Sequence, residues 1–246
     1  NGRNVNRTKF NMNRIGSKYF CNAAMGRKRV ELYYDVLSPY TWYSFEVLMR
    51  YKTHWKAEIE LKPFLLAGIM KGAGNKPPMM VPNKATYMMN DLKRCSKYFQ
   101  VPLKMIQDPI ETMLVKGSLV PNRFLTTLSI YYPSHLEEAS RQFFIELWNK
   151  DNDFTTTEAI TRVAHAAGLT NKQLVDVQDK MTTNQVKEAL KYNTSKALEY
   201  GAFGSPTAVT HSGSETQMFF GSDRFPLIAQ ELGEPWYGPM PEKAKL

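Results

Sequence analysis

The stretch that decides the fold is residues 34–42, which read Tyr34-Asp35-Val36-Leu37-Ser38-Pro39-Tyr40-Thr41-Trp42. Before it, apolar residues alternate with polar ones as in a β-strand, and after it apolar residues recur at helical spacing. Serine is a preferred N-cap, and proline is well tolerated at the first helical position. We therefore predict a strand, a short turn and a helix that opens at Ser38.

Two interpretations of Ser38 are open at this point. In the first, the residue is only a helix cap, and the stretch alone favours this interpretation. In the second, its hydroxyl lies where free N–H groups and the helix dipole produce a positive potential. Such a place stabilises a thiolate. The rest of the chain has to decide between the two.

Positive charge is concentrated near the N-terminal end. The 246 residues carry a formal net charge of +9, but eight of the 32 basic residues precede position 30 and no acidic residue precedes Glu31. The remainder holds 24 basic and 23 acidic residues. A nearly neutral body removes the main argument for nucleic-acid binding. Since no run of about 18 apolar residues occurs, we also expect no membrane-spanning helix.

Both ends resemble targeting signals. Residues 1–28 are rich in Asn and Arg and poor in acid, which predicts a leader similar to a mitochondrial transit segment, or a disordered one. The final Ala244-Lys245-Leu246 is a relaxed form of the Ser-Lys-Leu peroxisomal signal. The expected location is mitochondrial or peroxisomal, and the sequence does not choose.

The two cysteines, Cys21 and Cys95, form neither a C-x-x-C motif nor a disulfide framework. Cys95 shares a helical stripe with Met88, Leu92 and Phe99, which predicts a small buried apolar residue. The four histidines show no metal-ligand spacing, so we expect no metal site.

The order of elements predicts an α/β fold. Residues 58–63 alternate as a second strand that stops at Pro63, and together with the first strand and helix they form a βαβ unit with parallel strands. Residues 72–78 are rich in Gly and Pro and are predicted to be a loop. Strand signals return at 207–210 and 217–220 around a short turn. A last helix is predicted to open near Asp223 and to end at Gly233.

Between these strands, the chain from Lys84 onward has helical periodicity. One apolar stripe consists of Leu136, Ala139, Phe143 and Leu147. Three helix starts have capping-box spacing, in the pairs Thr155/Glu158, Thr170/Gln173 and Thr182/Gln185.

The whole order, β-α-β, a helical block and then β-β-α, predicts a thioredoxin-like domain with a large all-helical domain inserted in its middle. The expected domains are residues 29–63 with 202–246, and residues 64–201.

Five segments carry a recognisable pattern, namely residues 34–40, Gly74-Asn75-Lys76-Pro77-Pro78, Lys116-Gly117-Ser118-Leu119, Tyr200-Gly201-Ala202-Phe203-Gly204 and Phe220-Gly221-Ser222-Asp223-Arg224. At this spacing they resemble the kappa-class glutathione transferases. That class belongs to a family that includes 2-hydroxychromene-2-carboxylate isomerases and is related to DsbA-type oxidoreductases. The resemblance covers the chain from about Val30 to Leu246. It implies glutathione as the cosubstrate, a small electrophile or peroxide as the second substrate, and a homodimer.

The resemblance also implies roles for individual residues. Ser38 would be the catalytic serine facing the glutathione sulfur, with Pro39 and Tyr40 beside it. The other implied glutathione contacts are Asn75, Lys84, Ser205 beside a cis-Pro206, and the pair Ser222 and Asp223. Arg224 would reach across the dimer interface. One departure is Ser205 itself, because this position is often apolar in the family.

The chemistry of glutathione suits these residues. Carboxylates fit helix N-termini and basic side chains, and the ammonium of the γ-glutamyl group fits Asp223. An alcohol is far harder to deprotonate than a thiol, so Ser38 has to act as a hydrogen-bond donor to a thiolate and not as a base. The loss of both active-site cysteines disfavours dithiol redox chemistry. Three functions remain, which are a glutathione transferase, a glutathione-dependent isomerase, and a non-catalytic thioredoxin-fold binding protein.

Overall fold

The computed structural model describes residues 28–244. Cys21 and nearly all of the expected leader lie outside this range, as do Lys245 and Leu246 of the expected peroxisomal signal.

A four-stranded mixed sheet has the strand order β2-β1-β3-β4. Strand β1 is parallel to β2 and antiparallel to β3, and β3 forms a hairpin with β4. The strands are β1 (Arg29–Tyr34), β2 (Glu58–Pro63), β3 (Thr207–Ser212) and β4 (Glu215–Phe220). The helices that belong to these two strand pairs in the chain are α1 (Pro39–Tyr51), between β1 and β2, and α9 (Phe225–Leu232), after β4. This topology confirms the predicted β-α-β and β-β-α halves of a thioredoxin-like fold.

Seven α-helices connect β2 to β3, together with a π-helix (Glu111–Lys116) and two short 3-10 helices. The α-helices are α2 (Leu66–Gly72), α3 (Pro82–Phe99), α4 (Leu119–Tyr131), α5 (Leu136–Trp148), α6 (Thr157–Ala166), α7 (Asn171–Lys180) and α8 (Asn184–Glu199). The predicted all-helical block is present, and α2 is a helix before Lys84 that the sequence pattern did not predict. Within the part of the chain that the structure describes, no helix combines the length and hydropathy needed to cross a bilayer.

Strand β1 is buried on both faces. The alternation of Val30, Leu32 and Tyr34 predicted one buried face, but Glu31 and Tyr33 on the other face are buried as well. The Glu31 carboxylate accepts a hydrogen bond from Tyr33 Oη at 3.3 Å and lies 3.0 Å from a ring nitrogen of His211. Helices cover both sides of the sheet, so a polar residue on the second face has to find partners inside the protein.

The helix caps differ in part from the prediction. Thr170 and Gln173 form the predicted capping box. The cap of α6 is Thr156 rather than Thr155, whose hydroxyl donates instead to Asp153 at 2.7 Å. For α8 the cap position is Thr183, and its hydroxyl donates to the carbonyl of the preceding turn, so that no side-chain cap forms.

A cleft around Ser38

One cleft of about 820 Å³ collects all nine of the glutathione-site residues named from the sequence. It lies where the β1–α1 turn, the loop after α2, the start of α3 and the loops before β3 and after β4 meet. These residues are Ser38, Pro39, Tyr40, Asn75, Lys84, Ser205, Pro206, Ser222 and Asp223.

Ser38 occupies the N-cap position of α1 but makes no side-chain cap. Its Oγ donates to the backbone oxygen of Ser205 at 2.9 Å, and the side chain is only 5% exposed. The expectation that this hydroxyl caps the helix is therefore wrong. The hydroxyl instead donates its hydrogen bond to a backbone carbonyl of the segment that precedes β3.

The Ser205 side chain makes two further hydrogen-bonding contacts. Its Oγ accepts a hydrogen bond from the Asp35 backbone N–H at 3.2 Å and lies 2.7 Å from Thr41 Oγ1. The Ser205–Pro206 peptide bond is cis, as predicted. An apolar residue, which the resemblance expects at this position, cannot make these contacts. Ser205 therefore joins the loop before β3 to the β1–α1 turn through both its backbone and its side chain.

Asp35 supports this turn from inside the protein. Its carboxylate is fully buried and accepts hydrogen bonds from Leu37 N at 2.9 Å, Leu66 N at 2.8 Å and Ser118 Oγ at 2.7 Å. Desolvation raises the pKa of Asp35, and these donors oppose that shift. Asp35 has no role in the predictions made from the sequence. The available signal was a charged residue inside the apolar run that leads into the turn.

The rim of the cleft is exposed and polar. Asn75 Nδ2 donates to Phe203 O at 2.7 Å, which ties the loop after α2 to the segment before Ser205. Lys84 is exposed on α3. Asp223 is paired with the adjacent Arg224, whose Nε lies 3.1 Å from its carboxylate. Between Phe220 and Asp223, Gly221 has a φ of +106°, a value that favours glycine.

The interior walls are mostly apolar. Four methionines line them together with two phenylalanines near the rim, and this composition lets a cleft adapt to ligands of different shape. The residues are Met70, Met79, Met88, Met113, Phe203 and Phe220. Cys95 also lines the cleft and is only half-buried, so the prediction of a buried core residue is wrong in this respect. Burial and the neighbouring Asp91 raise the pKa of the Cys95 thiol to about 11.

Asp91 lies on the same wall. Its carboxylate accepts hydrogen bonds from Tyr40 Oη at 2.9 Å and Tyr87 Oη at 3.2 Å, and the Cys95 sulfur lies 3.8 Å away. Of these residues, only Tyr40 was predicted as a site residue from the sequence. Helical spacing alone does not mark Asp91 and Tyr87, because the partner Tyr40 comes from α1.

Within residues 28–244, no three His, Cys, Asp or Glu side chains are grouped so that they could hold a metal ion.

Comparison with known proteins identifies the family. The DSBA-like thioredoxin domain matches residues 29–233. Glutathione S-transferase kappa 1 of Homo sapiens is 45% identical over 214 residues, which cover 87% of this chain and 95% of that protein. The Rattus norvegicus protein of the same name is 44% identical over 212 residues, covering 86% and 94%.

A solved structure agrees at the level of the fold. 2-hydroxychromene-2-carboxylate isomerase superimposes with a TM-score of 0.65 at 21% identity, over 83% of this chain and 94% of that one. With its thioredoxin topology and with relatives this similar over most of their length, the chain belongs to the DSBA-like thioredoxin family and, within it, to the kappa-class glutathione S-transferases.

Proposed function

We propose that this protein transfers glutathione to small apolar electrophiles or reduces peroxides with it, and that Ser38 stabilises the glutathione thiolate. The observation that carries the proposal is the place of the Ser38 hydroxyl. It lies on the cleft surface at the N-terminus of α1, next to the Ser205 backbone, with apolar walls on one side and a polar rim on the other.

The energies suffice without a general base. Lowering a thiol pKa from ~8.5 by about two units requires roughly 2.7 kcal/mol of preference for the charged form. A hydrogen bond to a charged group supplies about 1.5–3 kcal/mol, and a helix N-terminus about 0.3–1 kcal/mol more. Among residues 28–244, none of those that line the cleft is a histidine.

Ser38 can stabilise the thiolate by exchanging its present hydrogen-bond acceptor for the glutathione sulfur. Its hydroxyl donates to Ser205 O, and rotation about one side-chain bond redirects it to a sulfur in the cleft. The exchange favours the thiolate, because a hydrogen bond to a charged acceptor is about twice as strong as one to a carbonyl. The carbonyl of Ser205 then becomes available to the cysteinyl N–H of glutathione.

The rim groups supply the remaining contacts. Asp223 matches the ammonium of the γ-glutamyl end, and Lys84 matches the glycine carboxylate. Asn75 and the buried Ser222 also line the cleft and offer further polar atoms to the tripeptide. Pro39, Tyr40 and Pro206 shape the cleft around the sulfur. Arg224, now paired with Asp223, is exposed, and the proposal gives it a contact to glutathione bound by a second copy of the chain.

A glutathione-dependent isomerase is the second candidate, and the fold shared with 2-hydroxychromene-2-carboxylate isomerase is the observation that favours it. In that case glutathione adds to the substrate and is then expelled, so turnover consumes no glutathione. A third candidate is a binding protein without catalysis, which would use the same cleft.

A conjugation assay separates the three. Purified wild type and Ser38→Ala are mixed with glutathione and chlorodinitrobenzene, while calorimetry measures glutathione binding in parallel. A transferase binds glutathione, forms the conjugate, and loses most of its turnover in the variant. Binding without turnover of any substrate indicates the third candidate, and turnover without loss of glutathione indicates the isomerase. A protein that does not bind glutathione would contradict the first two together.

A further inference from the structure

Helix α3 presents one face to the cleft. Met88, Asp91, Cys95 and Phe99 recur at helical spacing and all line it. Three of these four side chains are apolar or, in the case of Cys95, held as a neutral thiol. Lys84 and Tyr87 of α3 also line the cleft but are exposed, and the rest of this face is an apolar wall with Asp91 as its single carboxylate.

The Asp91 carboxylate is held by neutral donors. Within residues 28–244 its hydrogen-bond partners are the hydroxyls of Tyr40 and Tyr87 and the thiol of Cys95. A hydroxyl fixes the position of a carboxylate but does not cancel its charge. Tyr40 belongs to the Ser38 turn, only two residues from the catalytic serine, so the charge is tied directly to the reacting end of the cleft.

The other charged residues of the cleft are differently placed. Lys76, Lys84 and Asp223 all lie on the exposed rim, where water and salt screen them. The proposed contacts to glutathione also occupy Lys84 and Asp223. Asp91 is half-buried, so it is screened less and remains the charge that a second substrate encounters on the apolar wall.

We propose that Asp91, held between Tyr40 and Tyr87, is a specificity-determining residue that makes this cleft select neutral or cationic apolar electrophiles and reject anionic ones. The inference rests on the proposed transferase function and adds the class of second substrate to it. It also distinguishes this chain from an enzyme that takes a carboxylate substrate, as the name 2-hydroxychromene-2-carboxylate isomerase states for that protein.

A matched pair of electrophiles tests the inference. Chlorodinitrobenzoate carries a negative charge at neutral pH, and its methyl ester reacts at the same ring carbon without that charge. For each, kcat/KM at saturating glutathione is divided by the rate constant of the uncatalysed reaction, which removes the difference in intrinsic reactivity. Wild type is expected to prefer the ester. Asp91→Asn, which keeps the size of the side chain, should reduce this preference by about tenfold, mainly through faster turnover of the benzoate.

Two further variants separate charge from structure. Tyr87→Phe removes one hydroxyl but leaves the carboxylate, and it should keep the preference for the ester. Asp179→Asn removes an exposed carboxylate on α7 and should change nothing. Glutathione binding by calorimetry shows whether each variant is folded.

An unchanged preference in folded Asp91→Asn would overturn the inference and leave the transferase function standing. If that variant does not fold, wild type still decides, because a wild-type preference for the benzoate contradicts the inference. Failure of both electrophiles to react, in contrast, would count against the transferase function itself.

Discussion

The floor and the rim of the cleft differ in burial and in hydrogen bonding. The floor consists of Ser38 and Ser205, supported from inside the protein by Asp35 and Thr41, and all four residues are at most 8% exposed and hydrogen-bonded to one another or to neighbouring backbone. The rim consists of Asn75, Lys84 and Asp223, all exposed. A hydrogen bond to a charged sulfur gains most where water is excluded, whereas exposed charges are screened by salt and add only modest affinity. We therefore expect the floor residues to act mainly on the reactivity of the glutathione sulfur, and the rim residues to act mainly on the affinity for glutathione.

The largest effect on stability is expected at Asp35. Asp35→Ala leaves three donors without an acceptor, which should lower the free energy of unfolding by about 3 kcal/mol. Burial raises the pKa of this carboxyl above its usual 3.8. The contribution of Asp35 is then fully present below that value and declines as the pH rises through the folded pKa. Urea unfolding of wild type and Asp35→Ala at several pH values from acid to neutral measures the loss of stability and its dependence on pH.

Glu146 of α5 is the matched control for this pH dependence. It is also buried, and although desolvation alone would raise its pKa, Lys150, Asn152 and Arg162 lower it below the usual 4.5. Its contribution is present above that value and is lost as the pH falls through the folded pKa. Glu146→Gln should cost about 2 kcal/mol at neutral pH and less in acid. The same pH trend in both variants would contradict this account of the floor.

The largest effect on turnover is expected at Ser38. Ser38→Ala removes a donor to the thiolate and should reduce kcat about 30-fold, with KM for glutathione changed by no more than about twofold. Steady-state kinetics at varied glutathione measures the split. Ser129→Ala on α4, whose hydroxyl donates to Thr126 O outside the cleft, serves as the control. A rise in KM with kcat unchanged would indicate that Ser38 contributes to glutathione binding and not to the chemical step.

Asp223 should affect KM for glutathione more than kcat, the opposite of Ser38. Asp223→Asn weakens the contact to the γ-glutamyl ammonium and should raise KM for glutathione about fivefold while leaving kcat nearly unchanged. Glu188→Gln, an exposed change on α8, is the control. A fall in kcat comparable to that of Ser38→Ala would contradict the expectation that rim residues act on glutathione affinity and not on turnover.

The smallest effect is expected at Lys84. Lys84→Ala should raise KM for glutathione about threefold at low ionic strength, and the difference should shrink as salt is added. Kinetics at two salt concentrations, with Lys172→Ala on α7 as the control, measures this. An effect independent of salt would indicate a buried contact instead of an exposed one.

The sequence predicted what depends on local pattern. Alternation and helical spacing located the strands, α1 and the apolar stripe of α5, and the capping box at Thr170 formed as expected. The segment resemblance led to nine residues that share one cleft. Local pattern was sufficient for the strands, helices and cap because neighbouring residues along the chain decide them, whereas the cleft residues came from the resemblance.

Long-range partners were not predictable in the same way. The Ser38 hydroxyl bonds a carbonyl 167 residues away, and Asp35 bonds Ser118 across 83 residues. The Tyr40–Asp91 pair spans 51 residues and two helices. Which polar group takes which partner depends on packing between elements, and a single sequence carries no periodic signal for that. The wrong caps at Thr155 and Thr182 have the related cause that a hydroxyl has several acceptors within reach.

The most direct test is the pKa of the glutathione thiol when it is bound to the protein. Ultraviolet absorbance of the thiolate is titrated against pH in the complexes with wild type and with Ser38→Ala. Wild type should lower this pKa by about two units from ~8.5, and the variant should recover at least one of these units. Equal thiol pKa values in the two complexes would contradict the claim that the Ser38 hydroxyl stabilises the thiolate.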